Sequence, residues 1–481
     1  MDKTTSGEKR IYVYDVGSTY TKISAFAKES AGLTFLGRSQ APTTVDNITT
    51  GLQNSRYHLV TKEEISAAAP EEVYATSSAA GGLRMVAMGY MPRVTAKAAK
   101  EVAMTAGARV LEIVSFEDPP DYKVEVLREI NPDIILLAGG TDGGDQESLL
   151  QNALVIAESK VNAVVIIAGN AEAQPQVESI LRSNNVKTVR VPNVMPTIHE
   201  LKVKPSRQAI HEQFITQITR AKGLGKLVEK VTNGQVMPTP GAVLMGSELL
   251  ALGTYETDGM GDILVIDIGG ATTDIHSILS SLKEMPNEEK GLVVNNEKQV
   301  SYRTVEGNLG LRVSALGILE TAGPRAILAK IDLAGEEYEK ELVRYAGFLE
   351  KNPDYLATNE IERLFDEGMA IVAIEIALKR HAGFLAKEYD PLMGVAPGTP
   401  IGRDLRKVAY VIAIGGIFTH SSLERAERIV RKALRNPGVS LLPKSFKIMI
   451  DQEYLLYALG VLGQIYPEET LNLGKEYFLG T

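Results

Sequence analysis

"IYVYDVGSTYTK" runs from Ile11 to Lys22, and its reading decides the fold. Residues 11–16 are β-branched and aromatic, residues 21–27 are apolar at every second place (Ile23, Ala25, Ala27), and Gly17-Ser18 is turn chemistry. The stretch therefore predicts two strands joined by a tight turn. Such a turn needs only its glycine, so Asp15, Ser18, Thr19, Thr21 and Lys22 call for another explanation. Nucleotide phosphates supply one: a tight turn offers N–H groups and hydroxyls to phosphate oxygens, a lysine reaches them as a point charge, and Asp15 can orient Mg²⁺ or its waters. A surface hairpin decorated with polar residues has the same local pattern, and this segment alone does not separate the two.

Composition bounds what the rest can be. The chain has 481 residues, 44% of them hydrophobic, enough to bury large cores in two to four domains. Its net charge of −9, from 51 basic and 60 acidic residues, argues against an electrostatic grip on nucleic acid or on an anionic membrane. There is no cysteine, which removes disulfides, thiol nucleophiles and cysteine-ligated iron–sulfur clusters. The first ten residues are polar and no run approaches the length of a membrane span, so a soluble, cytoplasmic protein is expected.

A polar, helical stretch is expected from residue 41 to about 69, then a strand at 73–78 (VYATSS). Beyond Pro92, apolar strands at 108–114, 133–139, 162–169 and 186–191 alternate with helix-length amphipathic segments, the mark of βαβ units and a doubly wound parallel module. Within it "AGGTDGGD" (138–145) lies between a strand and a helix, where Asp142 and Asp145 are candidates for touching a ligand or partner, or for capping the helix.

The stretch "GDILVIDIGGATTDIHSI", Gly261 to Ile278, then repeats the opening pattern in order: a buried strand, an acid (Asp267), a glycine turn (Gly269, Gly270), hydroxyls (Thr272, Thr273) and a second strand. Two such hairpins about 250 residues apart suggest an internal duplication whose halves face each other across a phosphate site. "KVAYVIAIGGIFTH" (407–420) is an apolar strand ending in Gly415 and Gly416, where backbone can approach a flat ligand closely. "DQEYLLYALGVLGQI" (451–465) reads as a helix whose Ala458, Gly460 and Gly463 permit a close helix crossing, as a hinge between lobes requires.

In this order the motifs resemble those of the actin-like ATPase superfamily, which includes Hsp70 chaperones and sugar kinases. Asp15–Lys22 is similar to its first phosphate motif, Asp262–Asp274 to its second and Val411–His420 to its adenosine motif; residues 237–246 and 451–460 are similar to its two connecting helices. The resemblance implies an α/β protein with a duplicated actin-like (ribonuclease H-like) ATPase fold and an inserted doubly wound parallel α/β module. Residues 1–90 and 235–260 would form the first lobe, 91–204 the inserted module, 205–234 a helical connection and 261–481 the second lobe. It implies ATP/ADP and Mg²⁺ as cofactors, Asp15 and Asp267 holding the metal, and Lys22 assisting. Gly17, Ser18, Thr19, Thr21, Gly269, Gly270, Thr272 and Thr273 would cradle the phosphates, with Gly307 of "EGNLG" either adding N–H groups at a helix start or lying in a plain loop, and Gly415 and Gly416 facing the adenosine. One departure is visible: where Hsp70-type proteins place a glutamate before the Pro-Thr of the first connecting helix, this chain has Met237.

More narrowly, "DVGSTYTK", "SSAAGGLRMVAMG" and "VIDIGGATTDIHSI" resemble the GlmL/MutL family of glutamate (methylaspartate) mutase-associated proteins, a MutL unrelated to the mismatch-repair protein of that name. That resemblance implies a reactivating chaperone whose partner is an adenosylcobalamin-dependent mutase, of the glutamate mutase type or an aminomutase, and it leaves a homo-oligomer open. "DIHSIL" (274–279) begins like the Asp-x-His-x-x-Gly cobalamin motif, but Leu279 stands where glycine is required; His276 is expected to be an ordinary strand residue, without direct cobalamin ligation. Two other readings compete: a small-molecule kinase, with Asp142 or Glu248 as base, and a nucleotide-binding scaffold of negligible turnover, which Met237 permits. An electron-donating activator of the 2-hydroxyacyl-CoA dehydratase type falls, since it needs cysteine ligands.

Overall fold

The computed structural model describes residues 9–17, 20–30, 32–43, 48–63, 71–78, 84–89, 109–197, 202–218, 231–232, 236–279, 300–387 and 396–480. The chain divides into two compact units, Met1–Ala79 with Lys226–Thr481, and Ala80–Gly225.

The larger unit opens with an antiparallel meander of β1 (Lys9–Val16), β2 (Tyr20–Glu29) and β3 (Gly32–Pro42). The helix Ile48–Glu63 follows, and it returns the chain to β4 (Glu71–Ser77), parallel to β1. The second unit holds β5 (Arg84–Gly89), β6 (Arg109–Ser115), β7 (Ile134–Leu137), β8 (Val164–Ile167) and β9 (Lys187–Arg190), all parallel, in the order β6-β5-β7-β8-β9. Its central strands β7 (IILL) and β8 (VVII) are continuous apolar runs because helices such as Pro120–Ile130, Glu147–Ser159 and Gln174–Ser183 pack against the sheet. The doubly wound parallel sheet is as expected, but its start is not at residue 91. Residues 84–89, assigned from sequence to the first lobe, pair on one side with β6 and on the other with β7. Met85, Val86, Ala87 and Met88 are wholly buried there, although methionine and alanine are weak strand formers. Of the helical connection, Val203–Ile218 is a helix and 219–230 lie outside the described residues.

Back in the larger unit, β10 (Val236–Pro238) pairs parallel to β4 and completes the sheet β10-β4-β1-β2-β3. The helix Thr239–Leu252 leads out of it. A second meander follows, β11 (Ile263–Ile268), β12 (Thr273–Ile278) and β13 (Ser301–Glu306). Beyond the helices between 315 and 381 and a small ribbon of β14 (Phe384–Leu385) and β15 (Pro400–Ile401) come β16 (Tyr410–Ile414) and β17 (Lys447–Ile450). Both are parallel to β11, so the second sheet reads β13-β12-β11-β16-β17. Order and strand directions match the first sheet element for element: the fold is duplicated. In each repeat the fifth strand feeds a connecting helix, Thr239–Leu252 after β10 and Leu456–Leu462 after β17.

These two helices share one apolar core with both sheets, from Ile11, Val13 and Phe26 to Ile263, Val265 and Ile412. They touch backbone to backbone. A Cβ on Gly460 would lie 1.8 Å from the Ala242 carbonyl oxygen, and one on Gly246 would lie 2.3 Å from that of Leu456, so only glycine fits at the crossing. Among the described residues no helix is long and apolar enough to cross a membrane.

Candidate functional site

The two hairpins carry equivalent turns. The Gly17 N–H donates to the Tyr20 carbonyl at 3.0 Å, and the Gly269 N–H to that of Thr272 at 2.8 Å. Strand register sets Asp15 opposite Lys22 in the first hairpin and Asp267 opposite Asp274 in the second. Ser18 and Thr19 lie outside the described residues.

The aspartates differ in their partners. Asp15 is buried, and its carboxylate accepts from Lys22 Nζ (3.0 Å), Thr76 Oγ1 (3.0 Å) and Thr239 Oγ1 (2.6 Å). Burial works to lower the Lys22 pKa, but Asp15 and the tyrosines Tyr454 and Tyr457 outweigh it and push the value above the ordinary lysine range. Asp267 has no hydrogen-bond partner among the described residues. Its own surface is only partly covered, yet it stands deep between the hairpins, where burial and the facing Asp274 raise its pKa to about 7 against the pull of Lys22 and Arg303. Asp274 is itself held by Arg303, whose Nε lies 2.8 Å from Oδ1, and by the Thr272 hydroxyl at 2.9 Å. A carboxylate left unpaired beside engaged neighbours is the group free to take a cation or a proton.

The threonines divide by depth. Thr21 and Thr273, at equivalent positions, are wholly buried. Thr21 Oγ1 meets Thr43 Oγ1 at 3.0 Å, and Thr43 donates to the Gly17 carbonyl at 2.9 Å; Thr273 donates to the Leu309 carbonyl at 2.6 Å. Both hydroxyls brace their turns from behind, a correction to the expectation that they line the phosphates. The segment after β13 does similar work. Leu311 N–H donates to the Gly269 carbonyl, and the N–H groups of Arg312 and Val313 to that of Gly270, so they are committed to the turn. A Cβ on Gly310 would lie 2.2 Å from the Ala271 carbonyl carbon. Gly307 sits in the turn before this brace, partly covered. Gly415, at φ 130°, passes so near the end of β11 that a Cβ would lie 2.1 Å from the Ile268 carbonyl oxygen, and Gly416 opens the short helix Gly416–Thr419 beside it.

A family model described as "MutL protein" matches residues 11–478. The chain belongs to the MutL family. It is 37% identical over 480 residues to Protein MutL of Clostridium tetanomorphum, covering 97% of this chain and 98% of that one. Among solved structures it is similar to the activator of the 2-hydroxyisocaproyl-CoA dehydratase from Clostridium difficile with bound ADPNP (12% identity, 97% of each chain, TM-score 0.32). It is also similar to a glycerol dehydratase reactivase (9% identity, 95% of this chain and 100% of that one, TM-score 0.33). At those scores the structural likenesses carry no argument.

Several groups in this MutL chain escaped the sequence reading. Thr76 and Thr239 stood in quoted motifs, but only the fold turns their hydroxyls onto Asp15. Arg303 is a lone arginine in a strand with no local signature. Met237 and Asp451 prove to be counterparts in strand order: Met237 is level with Thr76, and Asp451 follows β17, its N–H donating to the Ala413 carbonyl. Asp451 caps the second connecting helix by accepting from the N–H groups of Leu455 and Leu456, both at 2.9 Å, which methionine cannot do for the first. In the other unit, the 138–145 loop is bound to itself. Asp142 Oδ1 accepts from Asn193 Nδ2 (2.8 Å) and Ala171 N–H (2.9 Å), and Asp145 accepts from Ser148 at the start of the helix Glu147–Ser159. His276 is fully buried in β12, and neither ring nitrogen has a hydrogen-bond partner among the described residues.

Proposed function

We propose that this MutL chain binds Mg-ATP between its two repeated hairpins and couples hydrolysis to movement of the lobes about the glycine crossing. The lobes then act on an adenosylcobalamin-dependent mutase of the glutamate mutase type, exchanging damaged cofactor in the cytoplasm. One observation carries the nucleotide reading: two equivalent aspartate-turn hairpins, one neutralised by Lys22, the other leaving Asp267 unpaired beside it. Mg²⁺ fits that unpaired carboxylate; when bound it would neutralise charge on the phosphates. Asp15, already accepting three bonds, serves to fix Lys22 instead of sharing the metal. The turn at Gly270 would meet the phosphates, since the Gly17 and Gly269 N–H groups and the Thr272 hydroxyl are already donated to Tyr20, Thr272 and Asp274, and Gly415 and Gly416 would face the adenosine. Loss of radicals in such mutases leaves a dead enzyme with tightly held cofactor, and a two-state ATPase that prefers one partner conformation gives the exchange direction. Of the two bases open to the kinase alternative, Asp142 is already committed to Asn193 and Ala171, which leaves Glu248.

The test is phosphate release from Mg-ATP by the purified chain, alone and with an inactivated adenosylcobalamin mutase, while mutase activity is followed in excess adenosylcobalamin. ATP-dependent recovery that disappears in Asp267→Ala supports the proposal. ATP turnover with no recovery in either a glutamate mutase or an aminomutase removes the partner and keeps the nucleotide site.

A further inference from the structure

Tyr454 has a backbone that a bulky residue rarely adopts, φ 52°, in the turn between β17 and the second connecting helix. Persisting strain of this kind is held in place by its surroundings and is concentrated at functional sites. Three features meet at the Tyr454 ring. The Lys22 ammonium lies 4.2 Å from the ring centroid, within cation–π range. The Arg38 guanidinium, paired with the neighbouring Glu453 at 2.9 Å, lies 5.4 Å from it. The phenol oxygen is 3.6 Å from where a Cβ on Gly416 would stand. The next residues are Leu455 and Leu456, whose N–H groups Asp451 caps at the head of the helix that crosses at Gly460. Tyr454 is therefore in contact with the first hairpin's lysine and with the Gly415-Gly416 turn, and it is joined directly to the helix connecting the repeats.

From this placement we infer that Tyr454 is a positioning residue: its ring fixes the Lys22 ammonium for the terminal phosphate and passes any shift of that ammonium to the second connecting helix. The inference rests on the nucleotide reading above. Lys22 has two holders, Asp15 on one side and Tyr454 on the other. A terminal phosphate that draws Lys22 away from Asp15 still leaves it over the ring, so the ring keeps the lysine aimed while the ion pair loosens. ADP, without that phosphate, draws it less.

The experiment measures Mg-ATP and Mg-ADP affinity, kcat and KM for phosphate release, and melting temperature in the wild-type chain and in Tyr454→Phe, Tyr454→Leu and Tyr454→Asn. Phe keeps the ring; Asn tolerates the left-handed backbone and loses the ring. The expected result is that Phe stays within about twofold of the wild type, while Leu and Asn lower the ratio of ATP to ADP affinity by about tenfold, the size of a partly desolvated cation–π contact. Asn separates a ring effect from backbone strain should Leu unfold. Unchanged ATP-to-ADP ratios in Leu and Asn, or a loss in Phe equal to theirs, overturns the inference while leaving the nucleotide site standing. A wild-type chain that binds neither nucleotide overturns both.

Discussion

Asp15 and Asp267 hold the same position in two matching sheets, yet across its hairpin Asp15 meets the ammonium of Lys22 and Asp267 meets the carboxylate of Asp274. A duplicated fold has thus split one position into two tasks. One aspartate is engaged by Lys22, Thr76 and Thr239; the other has no hydrogen-bond partner among the described residues and a pKa raised to about 7.

Asp267→Asn should separate stability from activity. Removing the charge that faces Asp274 is expected to raise the melting temperature of the nucleotide-free chain by about 2 °C at pH 8, as relief of roughly 1 kcal/mol would. Phosphate release should fall about a hundredfold. Thermal melts and a phosphate assay on the same preparation check both; a variant less stable than wild type contradicts the claimed repulsion.

His276 and His381 predict acid sensitivity. Burial, then Arg303 for the first and Arg403 and His276 for the second, hold both well below the ordinary value near 6.5. They are neutral when folded and take up protons when unfolded, so their contribution is whole above about pH 6.5 and is lost as pH falls below it. His276→Leu, which removes two buried nitrogens that have no partner among the described residues, is expected to be neutral or about 1 kcal/mol stabilising at pH 7 and to flatten the loss between pH 6.5 and 5. Urea melts across that range decide it; a variant that is strongly destabilised at pH 7 shows that the ring has a partner after all.

Thr273→Val tests whether that hydroxyl braces the turn or meets the nucleotide. The bracing account expects a loss of about 2 kcal/mol in the nucleotide-free chain, because the buried Leu309 carbonyl is left unpaired. Unchanged stability with abolished ATP binding would restore the phosphate-lining role.

Gly460→Ala forces a methyl group against the Ala242 carbonyl and should cost roughly 3 kcal/mol or shift the helix crossing. Gly347→Ala, on an open helix face, is the matched control and should be neutral or slightly stabilising. Equal behaviour of the two variants in chemical denaturation would mean that the helices do not touch at that point.

What the sequence made legible was local and periodic. The strand-acid-glycine-hydroxyl order of both hairpins, their repetition and the small residues of the second connecting helix can be read from neighbours in the chain, and the duplicated sheets follow from them. Strand Arg84–Gly89 was assigned to the wrong unit because its methionines and alanine carry little strand signal, and its partners β6 and β7 come later in the chain. The threonines defeated the reading for another reason. Strand alternation puts Thr272 and Thr273 on opposite faces, and only the return of the segment at 309–313 shows which hydroxyl is spent on support. Tyr454 gave no signal at all, since its meaning depends on Lys22 in the other repeat.

The most direct test of the central claim is a calorimetric titration of ATP, with and without Mg²⁺, into the wild-type chain and Asp267→Asn. The account predicts that Mg²⁺ tightens ATP binding to the wild type and that this gain is lost in Asp267→Asn, while metal-free ATP still binds both. A variant that keeps the full Mg²⁺ gain would contradict the assignment of Asp267 as the group that holds the metal between the two hairpins.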